Sequence, residues 1–153
     1  MKRAIRAAVR AGVTPAQFDE ALLQLVPFAG YARTINAFIV LQALVPHVPR
    51  PERGKGGVRR RGEKLCRRIY GTVYEKMISR MRGLHPDLAD WILEDGYGKV
   101  LSRPLLSTLE RELLVVAVLA ALDVPAQLKS HELGARRVGA DVAQVAAMVR
   151  LSR

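Results

Sequence analysis

The 153-residue chain has one cysteine, 5% aromatic residues and no apolar run longer than Leu113 to Leu122. A lone Cys66 cannot close an internal disulfide, form a CxxC redox pair or complete a four-ligand zinc site. Structural zinc and redox chemistry within one chain are therefore not expected, and the default setting is a reducing cytoplasm. The apolar run is about half of the roughly 20 residues that a bilayer crossing needs, and no apolar segment follows Met1-Lys2-Arg3. The expectation is a protein neither secreted nor membrane-spanning. Strand signals are nearly missing, because no stretch sustains a period-two alternation of β-branched residues between turn residues.

Acidic residues are also scarce: 14 Asp plus Glu face 25 Lys plus Arg, a formal charge of +11 at pH 7. Much of the excess lies in Arg50 to Arg68, where glycines and a proline interrupt the charges. This composition predicts a basic flexible linker over 46–62, with residues 50–61 mobile. Nucleic acid is not expected as a partner, since the run Lys55 to Arg61 holds no aromatic residue for base stacking.

Helix signals fill the remainder, and the expected fold is all-α, one domain of packed helical hairpins. Residues 2–11 and 126–138 are each followed by a glycine, Gly12 or Gly139, suited to a helix C-terminus. Two residues beyond each stands an N-cap candidate, Thr14 or Asp141, with Gln17 or Gln144 three further on. This is an internal repeat. RAAVRAGVTPAQFDEA from Arg6 lies over LGARRVGADVAQVAAM from Leu133 at a constant offset of 127. Between the copies, helices are predicted over Tyr31 to Leu44, Gly62 to Met81, a short segment after His85-Pro86, and Thr108 to Leu122, the last opened by a Ser107/Glu110 capping box. The stretch GYGKVLSRP is predicted to break the chain, and His47 and His85, each beside a proline, are expected to be exposed.

Two residues stand out chemically. Glu112 sits one turn into an otherwise apolar helix, and His131 lies near the start of the next helix beyond a tight turn. Consecutive helices joined so closely pack antiparallel, which brings these faces together. Their unequal distances from the turn predict that a water or a bend closes the gap. A histidine beside a carboxylate is a candidate proton shuttle; the structural alternatives are an interfacial histidine and a Glu112–Arg103 surface pair.

The segment from Tyr97, with Gly-x-Val-x-Ser-Arg-Pro, Arg-Glu-Leu-Leu before an apolar helix, Gln-Leu-x-x-His and a Gly-capped helix, resembles the core of the carboxymuconolactone decarboxylase family, which includes the alkyl hydroperoxidase D-like proteins. The opening residues, with Phe28-Ala29-Gly30 at a turn, resemble the remainder of the same unit. The resemblance implies an alkyl hydroperoxidase D-like helical bundle, with the tail of a first unit over 1–45 and a second unit over 63–153. It also implies a trimer or hexamer, and the apolar helices of Tyr31 to Leu44 and Thr108 to Leu122 are expected to form the interface. The implied chemistry is cofactor-independent decarboxylation of a small anionic lactone acid, a lyase reaction. His131 and Glu112 would be catalytic, and Arg103, Ser102 and Tyr97 would bind substrate. Ala4 stands where a first-copy histidine would fall. Hydroperoxidase-like antioxidant activity and a catalytically silent helical oligomer or binding module are the alternatives. Val124 and Gln127 occupy the positions of the dithiol cysteines, which argues against the thiol route.

Overall fold

The computed structural model describes residues 2–45 and 56–152, and among these residues every regular element is helical. The elements are α1 (Lys2–Arg10), α2 (Pro15–Leu23), α3 (Val26–Gln42), α4 (Val58–Tyr70), α5 (Tyr74–Leu84), α6 (Pro86–Trp91), a π-helix (Ile92–Leu101), α7 (Thr108–Ala121), α8 (Pro125–Arg137) and α9 (Val142–Leu151).

Local chemistry explains most boundaries. Thr14, Ser107 and Asp141 cap α2, α7 and α9, each accepting from the backbone N–H three residues on while the Gln or Glu there reaches back. The turn at Phe28-Ala29-Gly30 appears as a break within α3, where Gly30 takes φ 78°, a region that favours glycine. The segment predicted as one helix from Gly62 to Met81 is two, because Gly71 adopts φ 56° and a short 3-10 turn, Gly71–Val73, separates α4 from α5.

Two expectations are corrected by packing. The stretch GYGKVLSRP does not break the chain at its start; residues through Leu101 continue as a ten-residue π-helix, closed by the Ser102 N–H donating to Tyr97 O at 2.9 Å. The wide π turn lets its backbone meet α4 through two glycines. A Cβ on Gly62 would collide with Leu93 O, and one on Gly98 with Val58 O. Glycines that signal a break in sequence here permit close helix packing. Of the expected linker, residues 46–55 lie outside the described residues, whereas Val58 onward is helical. There Arg59 pairs with Asp90 at 2.7 Å and Glu63 at 3.0 Å, and Arg61 donates to Ser102 Oγ at 3.2 Å and Gly98 O at 3.0 Å. The arginines therefore tie α4 to α6 and the π-helix.

One core joins α4, α5, the π-helix and α7 around Cys66, Ile69, Ile78, Leu93 and Val115. A smaller one joins α7, α8 and α9 around Val116, Ala135 and Val145. The apolar helix α7 thus belongs to both cores and has no exposed apolar face, so only α3 of the two helices expected at an interface presents one, through Tyr31, Ile35 and Ile39.

Candidate functional site

The α7 and α8 helices meet through a short turn over which Asp123 takes φ 53°. Glu112 is nine residues before Ala121, and Gly134 is nine after Pro125, so the two are level across the pair. Gly134 has no side chain to keep α7 away: a Cβ there would lie 2.7 Å from Glu112 Oε2 and 2.8 Å from Ile69 Cγ2. The carboxylate therefore lies against the α8 backbone and reaches one turn back to His131, whose Nδ1 is 3.0 Å from Oε2. Neither a bridging water nor a bend is needed, and the expected gap is closed by the glycine.

Both residues are buried, Glu112 fully and His131 with 7% of its surface exposed. With Nδ1 engaged by the carboxylate, a neutral imidazole carries its proton there and leaves Nε2 as the acceptor. His131 lines a cavity of about 770 Å³, and its Nε2 has no hydrogen-bond partner among the described residues. Glu112 Oε1 is buried without a hydrogen bond. Such an orphan oxygen costs about 1–3 kcal/mol and is concentrated at sites where structure serves chemistry.

The cavity is walled by α5, the π-helix, the start of α3 and the first turns of α8. Tyr70 packs edge-on to His131 with ring centroids 6.4 Å apart, and Phe28 does so at 5.8 Å. Tyr97 Oη donates to Tyr70 Oη at 3.3 Å, and the Ser130 side chain also interacts with the Tyr70 phenol. Burial pushes both phenols above their ordinary value, so both remain neutral donors at physiological pH. Ala126 and Gln127, in the first turn of α8, also face the cavity, and Val124 provides no side-chain cap for their N–H groups. That wall is accordingly electropositive.

Cys66 is fully buried, and burial, reinforced by the Glu112 carboxylate, pushes its thiol up to about 12. It is an inert packing residue. Of the residues expected to bind substrate, Tyr97 lines the cavity, while Ser102 bonds Gly98 O at 2.7 Å and accepts from Arg61. Arg103 faces elsewhere: its guanidinium grips Glu20 through contacts of 2.7–3.0 Å. Glu112 and Arg103 form no pair. His85 caps α6 by accepting from the Asp87 N–H at 3.1 Å, Trp91 stands exposed at the cavity rim, and His47 lies outside the described residues.

The sequence reading missed a second polar cluster. Glu20 and Gln24 of α2, both buried, hold Arg111 of α7, whose Nη2 lies 2.8 Å from Glu20 and whose Nη1 lies 3.1 Å from Gln24 Oε1. Burial lowers the Arg111 guanidinium from its ordinary value against the pull of Glu20. The signal was the dipeptide Arg111-Glu112 at the head of a run with no polar face, which obliges both charges to be buried.

Two curated relatives match most of the chain. Peroxisomal protein 2 of Schizosaccharomyces pombe is 34% identical over 140 residues, covering 82% of this chain and 62% of the relative. Peroxisomal protein 2 of Saccharomyces cerevisiae is 27% identical over 164 residues, covering 87% and 58%. The chain thus spans about three fifths of the length of these relatives. No family model matches it, and no solved structure does.

These findings overturn the resemblance to the carboxymuconolactone decarboxylase family, and with it the decarboxylase and hydroperoxidase readings. The relatives' names likewise point to the peroxisome, against the expected cytoplasm. The motif pieces that carried the resemblance have local structural roles here: Ser107 and Glu110 cap α7, Ser102 and Arg103 bond within the fold, and Gly98 admits α4. The expected all-α architecture is shown.

Proposed function

We propose that this chain binds a small organic molecule with an apolar body and transfers a proton on it, with His131 Nε2 as general base and Glu112 as its positioning residue. The observation that carries the reading is the buried Glu112–His131 hydrogen bond of 3.0 Å at the wall of a 770 Å³ cavity. Glu112 holds the tautomer and stabilises the imidazolium that forms when Nε2 takes a proton.

The surroundings favour direct proton transfer over covalent catalysis. Ser130 lines the cavity but neighbours His131 in sequence, and successive helical residues do not face each other. Cys66 is buried with a raised thiol. Among the described residues, no hydroxyl or thiol is therefore placed as a nucleophile activated by His131. The Tyr70 phenol, which lines the cavity and is kept neutral by burial, instead suits an oxygen that gains charge as a neighbouring carbon loses its proton. The reaction class is proton abstraction next to a carbonyl. A small anionic substrate remains part of this proposal, with the anion held away from Arg103. So does a homo-oligomer formed through the exposed Tyr31, Ile35 and Ile39. Where the source cell has peroxisomes, the relatives' name supports that compartment.

The test is exchange of α-hydrogens for deuterium in medium-chain oxo acids, ketones and alkyl thioesters dissolved in D2O, followed by proton NMR. Wild-type protein is expected to accelerate exchange, and His131→Gln to reduce it by about 10²-fold or more while helical circular dichroism is kept. Exchange undiminished in His131→Gln, or absent with every compound, overturns the proposal.

A further inference from the structure

We infer that the cavity takes a single-chain amphiphilic acid, its hydrocarbon chain lying along α5 and α6 and its carboxylate held by Lys76 and Arg80. The inference deepens the proposed function by naming the substrate class, and it rests on that reading only for which end of the molecule reacts.

Val73, at the end of the 3-10 turn, continues into Met77, Met81 and Leu84 of α5 along the cavity, and Leu88 and Ile92 also line it. Two methionines in one wall suit a flexible chain, since thioethers adapt their shape. The mouth is apolar and uncovered: Leu84 and Trp91 are 67% and 62% exposed. Such surface is retained where something else covers it.

Charge identifies the head group. Lys76 and Arg80 also line the cavity, four residues apart on one helix and so neighbours in space. Both are exposed, and neither has a carboxylate partner among the described residues, in contrast to Arg59, Arg67 and Lys99. The carboxylate at the same wall, Asp95, is engaged by Lys99 at 2.6 Å. Two free cations beside an apolar trough complement one anionic head on an apolar chain. A neutral lipid would leave both cations without a partner.

The probe is dodecanoate below its micelle-forming concentration, titrated into the full chain. Trp91, the chain's single tryptophan, reports from the rim. Saturable one-to-one binding is expected, and calorimetry should give the same stoichiometry. The double substitution Lys76→Ala/Arg80→Ala should weaken binding at least tenfold with an unchanged melting temperature, because both side chains are exposed. Dodecanol should bind wild type at least tenfold more weakly than dodecanoate and be indifferent to the substitution. Dodecanoate binding is read without any turnover, which separates this inference from the proton-transfer reading. The inference is overturned if dodecanoate fails to saturate, if dodecanol binds equally well, if the double variant binds as wild type does, or if Trp91 responds only to anionic vesicles. Loss of exchange chemistry with dodecanoate binding intact would remove the proposed function alone.

Discussion

Gly134→Ala separates two physical effects of opposite sign. In a helix interior, alanine is favoured over glycine by about 1 kcal/mol, so propensity alone predicts a more stable protein. The structure predicts the reverse. The new Cβ would stand 2.7 Å from Glu112 Oε2 and 2.8 Å from Ile69 Cγ2, both well inside contact distance. Neither neighbour yields freely: Ile69 is 1% exposed and Glu112 fully buried. Overpacking of this kind costs about 1–3 kcal/mol. If the carboxylate retreats, the 3.0 Å bond to His131 is lost, and hydrogen bonds to charged groups contribute about 1.5–3 kcal/mol. After the propensity gain is subtracted, a net loss of about 2–3 kcal/mol is a conservative sum. At about 2–4 °C per kcal/mol for a chain of this size, the melting temperature should fall by roughly 4–12 °C. Thermal melts by circular dichroism measure the fall, and the His131 ring nitrogen shifts in NMR report whether Nδ1 keeps its carboxylate partner. A Gly134→Ala protein that melts at or above the wild-type temperature with His131 nitrogen shifts unchanged would refute the reasoning.

Glu20→Gln removes the one carboxylate that Arg103 and Arg111 share and leaves Arg111, 2% exposed, with neutral partners only. Breaking a buried pair costs about 3–5 kcal/mol, so a melting temperature within 2 °C of wild type would count against the network. Cys66, its thiol pushed up to about 12 and its side chain fully buried, should resist iodoacetamide at pH 8 in the native protein and react on unfolding, as mass spectrometry would show. Ser107→Ala should cost about 1 kcal/mol at pH 7 through the lost cap. Hydrogen bonds from Ser107 hold the Glu110 carboxyl below its ordinary 4.5. Its folded value is therefore depressed, and the stability it contributes is present above about 4.5 and lost as pH falls through the folded value. The gap between wild type and variant should accordingly narrow from pH 7 to pH 3, and a gap that widens would contradict the sign.

Backbone punctuation was legible in the sequence. Thr14, Ser107 and Asp141 announce helix starts through side chains three residues from their partners, and Gly12 and Gly139 announce ends, with φ of 88° and 114°. The choice of Glu112 and His131 was legible too, because a carboxylate on an apolar helix must find a buried partner. Legibility failed where a residue's meaning depends on a distant neighbour. Gly62 and Gly98 read locally as linker and breaker, yet each is small because the other element's backbone passes against it. Arg103 read as a substrate ligand, and its partner Glu20 is 83 residues away. The π-helix has no local signature that separates it from a loop containing two glycines.

The repeated unit explains why the described residues hold one such site and where to look for it. Its two copies share glycine, cap and glutamine, the residues that shape a helix-turn-helix, and both adopt that shape. They flank α7, which presents two opposite buried charges at successive positions. Arg111 is met by Glu20 from the second helix of the first copy, and Glu112 by His131 just ahead of the second copy's repeat. At the offset of 127, Glu20 falls on Ala147 and His131 on Ala4. Neither copy carries the other's polar residue. Each copy therefore has the one charge partner that its side of α7 demands, with opposite consequences. The Arg111 side is closed by Glu20, Gln24 and two backbone carbonyls and anchors the amino-terminal helices. The Glu112 side is left with one carboxylate oxygen unpartnered and one imidazole nitrogen at a cavity. A polar pair completed by the fold has only stability to contribute, whereas one that the fold leaves incomplete retains hydrogen-bonding capacity for a ligand, and on α7 that side is Glu112 with His131.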